Sequence, residues 1–202
     1  MYQPHRNTVF RQILYNMKLT VPDSLADISV KQYKLLANLK LDEKSTEWIV
    51  EAICIMCNLS KEETNQLTIP EMERISTIIS RINDADGQDE KLVTKLDYKG
   101  KRYGFHPNLS KLTVGEFADL ETYCSQGLFD NLGYIISILY RPIKTEAGDF
   151  YTIESYKGDG DPTYWDELKM DVVMGAINFF LSIGVILTQD LANSLAEGEK
   201  VI

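Results

Sequence analysis

Four stretches of this chain carry the same helix-start signal, and that repetition limits the fold more than any other feature. Ser29–Gln32, Ser60–Glu63, Thr68–Glu71 and Thr113–Glu116 each place Ser or Thr three residues before Glu or Gln. At that spacing the hydroxyl accepts from the N–H of the third helical residue, and the longer side chain reaches back to the N–H of the cap. Two donors left over by the helix are satisfied together. In three of the four, an apolar residue before the cap matches another at the fourth helical position: Ile28 with Tyr33, Leu67 with Met72, Leu112 with Phe117. Such a staple fixes the angle at which the chain enters the helix. Helices are therefore expected to start at 30, 69 and 114.

From the caps and the apolar periodicity, helices are predicted over 30–39, 46–58, 69–83, 114–125, 129–141 and 170–195. Pro142 is read as the stop of the fifth, because proline cannot donate to the helix ladder and restricts Arg141 before it. Gly184 is expected to bend or break the sixth. "DADGQD" at 84–89 reads as a turn-prone linker. Beyond it, "KLVTKLDYKGKRYGF" predicts a hairpin turning at Lys99–Gly100, and "DFYTIESY" (149–156) predicts a further strand. The expected fold is α+β and predominantly α-helical, a helical bundle with a small antiparallel hairpin or sheet inserted in the C-terminal half. Residues 1–22 would form a basic arm, 23–84 a helical region and 85–202 an α+β region, the last two packed as one globular unit.

A weak internal echo accompanies this layout. Leu25, Ile28, Ser29, Val30, Tyr33 and Leu36 match Leu109, Leu112, Thr113, Val114, Phe117 and Leu120 at a constant offset. "ICIMC" (53–57) lies near the equivalent of "ISILY" (136–140) after a one-residue slip. Either the two halves share an origin or the capping grammar alone produces the match.

With 202 residues and a hydrophobic fraction of 44%, the chain can bury a substantial core. Its net charge of −9 argues against a sequence-independent grip on nucleic acid, which needs a basic surface to displace counterions. The charge is uneven: up to Pro22 there are Arg6, Arg11 and Lys18 and no acid, which leaves about −12 on the remainder. A basic arm on an acidic body could dock on a neighbouring subunit, and a strand that happens to lack acids would read the same. "MYQPHRNTVF" lacks the apolar core of a secretory signal. "VVMGAINFFLSIGVIL" (172–187), interrupted by Asn178 and Ser182, is short for a membrane span of about 20 residues and reads as a core helix. The three cysteines fit reduced thiols in a cytosolic setting.

Cys54 and Cys57 form a C-x-x-C, but late in an apolar helix, away from the N-terminal position that lowers a thiol pKa. Cys124, His5 and His106 do not complete a zinc-like spacing, so buried structural thiols are expected. "INDADGQDEKLV" puts Val93 where a calcium loop needs a bidentate Glu, and "DGDPTYWDE" has no correctly placed glycine. Glu116, Asp119 and Glu121 could suggest carboxylate chemistry, yet Glu116 is accounted for by its cap and first-turn acids complement the helix dipole. With two histidines and no Gly-rich phosphate loop, no nucleophile–base pair can be assembled, and no catalytic, metal or cofactor residue is proposed. Around the expected sheet, Tyr98, Tyr103, Phe105, Tyr151, Tyr156, Tyr164 and Trp165 would either pack on helices or present a partner-facing patch. Arg141, read at a helix C-terminus, would complement the dipole or bridge to another subunit. The candidate partner contacts are Arg6, Arg11, Tyr98, Tyr103, Phe105, Arg141 and Trp165.

The progression "YGFHPNLSKLTVGEFADLE … ILYRPI … FYTIESY … MDVVMGAINFFLSIG" resembles a group of tailed-bacteriophage proteins, particularly from phages of gut and environmental Bacteroidota. The resemblance covers about residues 98–184 and carries no catalytic motif. It implies a non-enzymatic virion-associated protein, a structural piece near the portal and tail or a protein packaged in the particle, assembled in the host cytoplasm. Its implied partners are other phage structural proteins and further copies of itself, with no nucleic acid and no membrane. A tail-assembly chaperone that coats the tape-measure protein is the main alternative, and an enzyme of host takeover is the alternative from another class.

Overall fold

A computed structural model describes residues 10–14, 17–43, 45–84, 87 and 89–183. A hairpin, β1 (Phe10–Leu14) and β2 (Met17–Val21), leads into α1 (Val30–Ala37), α2 (Thr46–Cys57), the single turn α3 (Lys61–Thr64) and α4 (Ile69–Asp84). Next come β3 (Lys95–Tyr98), β4 (Lys101–Phe105), α5 (Val114–Ser125), α6 (Leu132–Leu139), β5 (Tyr140–Ala147) and β6 (Phe150–Ile153). A last helix, α7, runs through residues 170–183. The fold is α+β and mainly helical, with the sheet β3-β4-β5-β6, antiparallel throughout, in the C-terminal half.

The expected helix starts at 30, 69 and 114 are the observed ones. Ser29 N–H donates to Gln32 Oε1 at 3.0 Å and receives Gln32 N–H on its hydroxyl at 3.2 Å. Ser60 with Glu63 and Thr113 with Glu116 close the same reciprocal pair, and Thr68 N–H donates to Glu71 Oε2 at 2.8 Å. The β3–β4 turn falls at Lys99–Gly100, both at positive φ (46° and 76°), the two-residue geometry whose twist matches paired strands.

The helix expected over 129–141 ends at Leu139, and the chain passes directly into a strand. Tyr140 is already extended (φ −114°, ψ 124°) and pairs with Phe105, so β4 takes over the backbone groups that a further helical turn would have used. Pro142 does not stop a helix. It lies inside β5 opposite Tyr103, just ahead of a register shift between Ile143 and Thr145, where its missing N–H is tolerated. The first strands also qualify the reading of residues 1–22 as an arm: Leu19 and Val21 are core residues. Gly184 and the end of the helix expected to reach 195 lie outside the described residues.

A backbone junction joins the two halves. Met170 N–H donates to Ile28 O at 3.0 Å and Val30 N–H to Leu168 O at 2.9 Å, so the starts of α1 and α7 form an antiparallel bridge. Within the second half, close backbone contact packs the elements on one another. At Gly175 in α7 an added methyl would lie 2.7 Å from the Lys91 carbonyl carbon, and at Gly133 in α6 it would lie 2.7 Å from Pro162 Cα. Glycine is needed at both because another backbone occupies the place of a side chain. The core thus runs from Ile53 and Ile79 in the first half to Leu132, Ile136 and Val173 in the second.

Candidate functional site

The first turn of α5 faces two ways. Its inward residue, Glu116, is 2% exposed, while Val114 and Phe117 on either side of it are 87% and 58% exposed. Thr113 sets this orientation. Its N–H and hydroxyl bond Glu116 Oε2 at 2.6 and 2.8 Å, drawing the carboxylate back beneath the helix end.

The other oxygen, Glu116 Oε1, accepts from Arg141 Nη1 at 2.6 Å, and His106 Nε2 stands 3.9 Å from it. Arg141 and His106 are each 8% exposed. β5 delivers Arg141 immediately after the apolar α6, while His106 follows β4, anchored by its N–H to Leu139 O at 2.7 Å. Asn108 N–H donates to His106 Nδ1, which leaves the neutral ring's proton on Nε2, facing Glu116. Burial would push the Glu116 carboxyl up, but the two Thr113 hydrogen bonds, then Arg141 and His106, outweigh it and hold it below the usual carboxylate value. Burial and the Arg141 charge keep His106 below the usual imidazole value despite the opposing pull of Glu116.

Glu116 and Arg141 pair inside the fold, Arg141 Nε staying buried without a hydrogen-bond partner, and a neutral imidazole completes the group. Both carboxylate oxygens are engaged, Oε1 by Arg141 and Oε2 by Thr113, the arrangement of a buried ion pair. Sequence reasoning took Glu116 only as a cap and Arg141 as an end-of-helix residue or an intersubunit bridge, and the contact is instead intramolecular. The available signal was the lone charge in "IISILYRPI", since a cation amid buried apolar residues requires a buried partner.

Most of the proposed aromatic patch is likewise closed. Tyr103, Phe105 and Trp165 are buried and Tyr98 is half-buried, so the first three are not surface contacts. Tyr98 stacks on Trp165 with ring centroids 5.1 Å apart, and Tyr103 meets the same indole edge-on at 5.0 Å. Trp165 Nε1 donates to Ser137 Oγ at 2.7 Å, Tyr98 hydroxyl to Tyr164 O at 2.8 Å, and Tyr103 hydroxyl to Tyr164 hydroxyl at 2.9 Å. These bonds dock the β3–β4 hairpin on residues 162–165 and leave the tyrosine hydroxyls no partner to seek. Arg6 and the side chain of Arg11 lie outside the described residues.

Cys57 is buried and its thiol is pushed up to about 12 by burial and by Cys54, opposite to what a reactive thiol needs. Cys54 Sγ lies 3.1 Å from Thr64 Oγ1. Among the described residues, no group of three or more His, Cys, Asp and Glu is arranged to hold a metal ion, and no helix is long and apolar enough to cross a membrane.

One of the open concavities is apolar. Leu109, Leu112, Val114 and Phe117 from one side and Phe180 and Ile183 of α7 from the other line a groove of about 520 Å³. That volume is within the range of ligand pockets, roughly 300–1,000 Å³. Sequence reasoning did not find it, because it requires knowing that the ends of α5 and α7 lie side by side. No protein-family model matches this chain, and neither a curated protein nor a solved structure does.

Proposed function

We propose that this is a non-enzymatic protein acting through protein–protein contact, a virion-associated component of a tailed phage near the portal and tail or packaged within the particle. One observation carries the contact reading. The first turn of α5 presents Val114 and Phe117 to solvent beside an apolar groove, while Glu116 and Arg141 are engaged with each other underneath. Exposed apolar side chains gathered around a concavity mark an interaction surface far more often than scattered ones do. The phage assignment rests on the "YGFHPNLSKLTVGEFADLE … ILYRPI" progression, of which this same turn is part.

The groove also favours a second reading. A tail-assembly chaperone would need an apolar concavity on an acidic soluble body to hold a segment of the tape-measure protein. Quantitative mass spectrometry of purified particles distinguishes the two. A virion component is expected at a fixed ratio to the portal or tail proteins through successive gradient steps. Its absence from particles, together with its presence in infected-cell lysate, would refute the first reading and favour the chaperone.

A further inference from the structure

We propose that the first turn of α5 binds an extended apolar–acidic–apolar segment of a partner protein through backbone hydrogen bonds. The first turn of α1 shows the same arrangement already filled. Ile28, Ser29 and Val30 match Leu112, Thr113 and Val114 in sequence, and the caps Ser29 (φ −89°, ψ 159°) and Thr113 (φ −70°, ψ 160°) hold the same extended backbone. Residues 166–170 cover the first of these turns. Val30 N–H donates to Leu168 O and Lys31 N–H to Asp166 O, both at 2.9 Å, and Ile28 O accepts from Met170 N–H at 3.0 Å. Ser29 lies antiparallel to Lys169, which is exposed, while Leu168 and Met170 on either side of it are buried, as are Ile28 and Val30. At the second turn Leu112 O and the N–H groups of Val114 and Gly115 meet no such segment among the described residues, and Val114 lies exposed at the α5–α7 groove.

The filled turn defines what the open one accepts. Two donors and one acceptor at this spacing suit an extended chain running antiparallel, as when a strand is added to a free edge. Alternate side chains of such a chain point to opposite sides, so two apolar residues enter the groove and the residue between them faces solvent. Leu168–Met170 is committed to α1, and the second turn therefore takes its segment from another protein. The charge of that segment follows from the rim. Lys111 stands where the first half has Asp27, Gly115 stands where it has Lys31, and none of the described residues lining the groove is charged. The helix end adds its own preference for an acid. The inference rests on the reading of this turn as a contact surface and names the class of segment it contacts. Its test uses purified chain, so it can fail while the particle assignment holds, and the reverse.

The probe is a blocked peptide of residues 166–172 of this chain carrying Lys169→Glu, titrated to about 1 mM into the isotope-labelled full chain and followed by nuclear magnetic resonance. Saturable shifts are expected at the amides of Val114 and Gly115. The same peptide with Lys169 retained should bind at least about threefold more weakly, the scale of an exposed charge pair. Val114→Pro isolates the backbone bond. Proline suits the first position of a helix and stays apolar, but it has no N–H to donate. Binding should therefore fall severalfold while the melting temperature holds. The proposal is overturned if no saturable shifts appear, if they centre on residues 28–30 instead, or if Val114→Pro binds as the wild type does. Equal or tighter binding of the Lys169 peptide overturns it as well. So do nuclear Overhauser contacts between Val114 and residues 184–202 in the free chain, which assign the turn to that segment. Self-association of the wild type that Val114→Pro abolishes assigns it to a second copy and likewise overturns the proposal.

Discussion

Glu116 serves two structures at once, and its substitutions should separate them. Glu116→Gln keeps an oxygen for the Thr113 N–H but leaves Arg141 a buried cation without a counter-charge. Breaking a buried pair by removing one partner typically costs about 3–5 kcal/mol. Arg141→Met, which strands the carboxylate instead, should cost a similar amount. The double variant is expected to be less destabilised than the sum of the two, and urea denaturation of the four proteins measures the difference. An additive result would mean that the pair contributes no coupling. His106 gives the same group a pH dependence. Its folded value lies below the ordinary imidazole value of about 6.5, so the unfolded chain binds that proton more readily. Stability from this residue is complete above about 6.5 and falls as the pH drops below it, and Glu116 adds a second loss below the ordinary carboxylate value of about 4.3. His106→Asn, which can still accept from Asn108 N–H, should flatten the upper part of a melting-temperature profile and leave the lower part. An unchanged upper limb would place that pH dependence elsewhere.

Among elements, what the sequence discloses is what is decided within a few residues. Ser29, Ser60 and Thr113 each meet their partner three residues on, and the Lys99–Gly100 turn declares itself through one glycine between two alternating runs. Thr113→Ala and Ser29→Ala should therefore each cost about 1 kcal/mol, with Thr113→Ala costing more because it also loosens Glu116. β5 was not legible, since an apolar run such as "IISILY" favours helix or buried strand equally. Its strand state is settled by Phe105, about thirty-five residues away along the chain. Glu116 and Arg141 were hidden for the same reason: their pairing depends on how α5 meets β5. The two halves do share more than capping. Each has a 3-10 turn (Leu25–Asp27, Leu109–Lys111) directly before its cap and helix. In each, moreover, the third helical residue reaches the far end of the next apolar helix. Gln32 Nε2 donates to Ile55 O and Met56 O at 3.1 Å, and Glu116 accepts from Arg141 just past α6. Gly175 is the opposite case, a residue whose local propensity misleads. Alanine there is the better helix former by about 1 kcal/mol, yet its methyl would strike the Lys91 backbone. Gly175→Ala is expected to destabilise by about 1–3 kcal/mol in chemical denaturation, and a stabilising outcome would show that the α7 contact yields easily.

At the scale of the whole molecule the question is whether residues 23–84 and 85–183 unfold as one unit. The bridge between Ile28–Val30 and Leu168–Met170 exchanges backbone hydrogen bonds across that division, and Lys34 Nζ meets Asp166 Oδ1 at 3.3 Å beside it. A fragment ending at Asp84 would leave Ile28 O and Val30 N–H without these partners. Cooperative unfolding of the whole is therefore expected, and the chain carries its own reporters. It has two tryptophans, one in each half, Trp48 in α2 and Trp165 beyond β6, both buried. In Trp165→Phe the remaining fluorescence reports on the first half, and in Trp48→Phe on the second. Trp165→Phe loses the hydrogen bond to Ser137 Oγ and should be the less stable of the two, so the comparison that matters is made within each variant. In both, the urea transition followed by fluorescence should coincide with that followed by far-ultraviolet circular dichroism, which averages over all the helices. If the Trp48 signal and the helical signal separate, the halves unfold independently and the bridge at residues 28–30 is a contact between two units rather than part of one core.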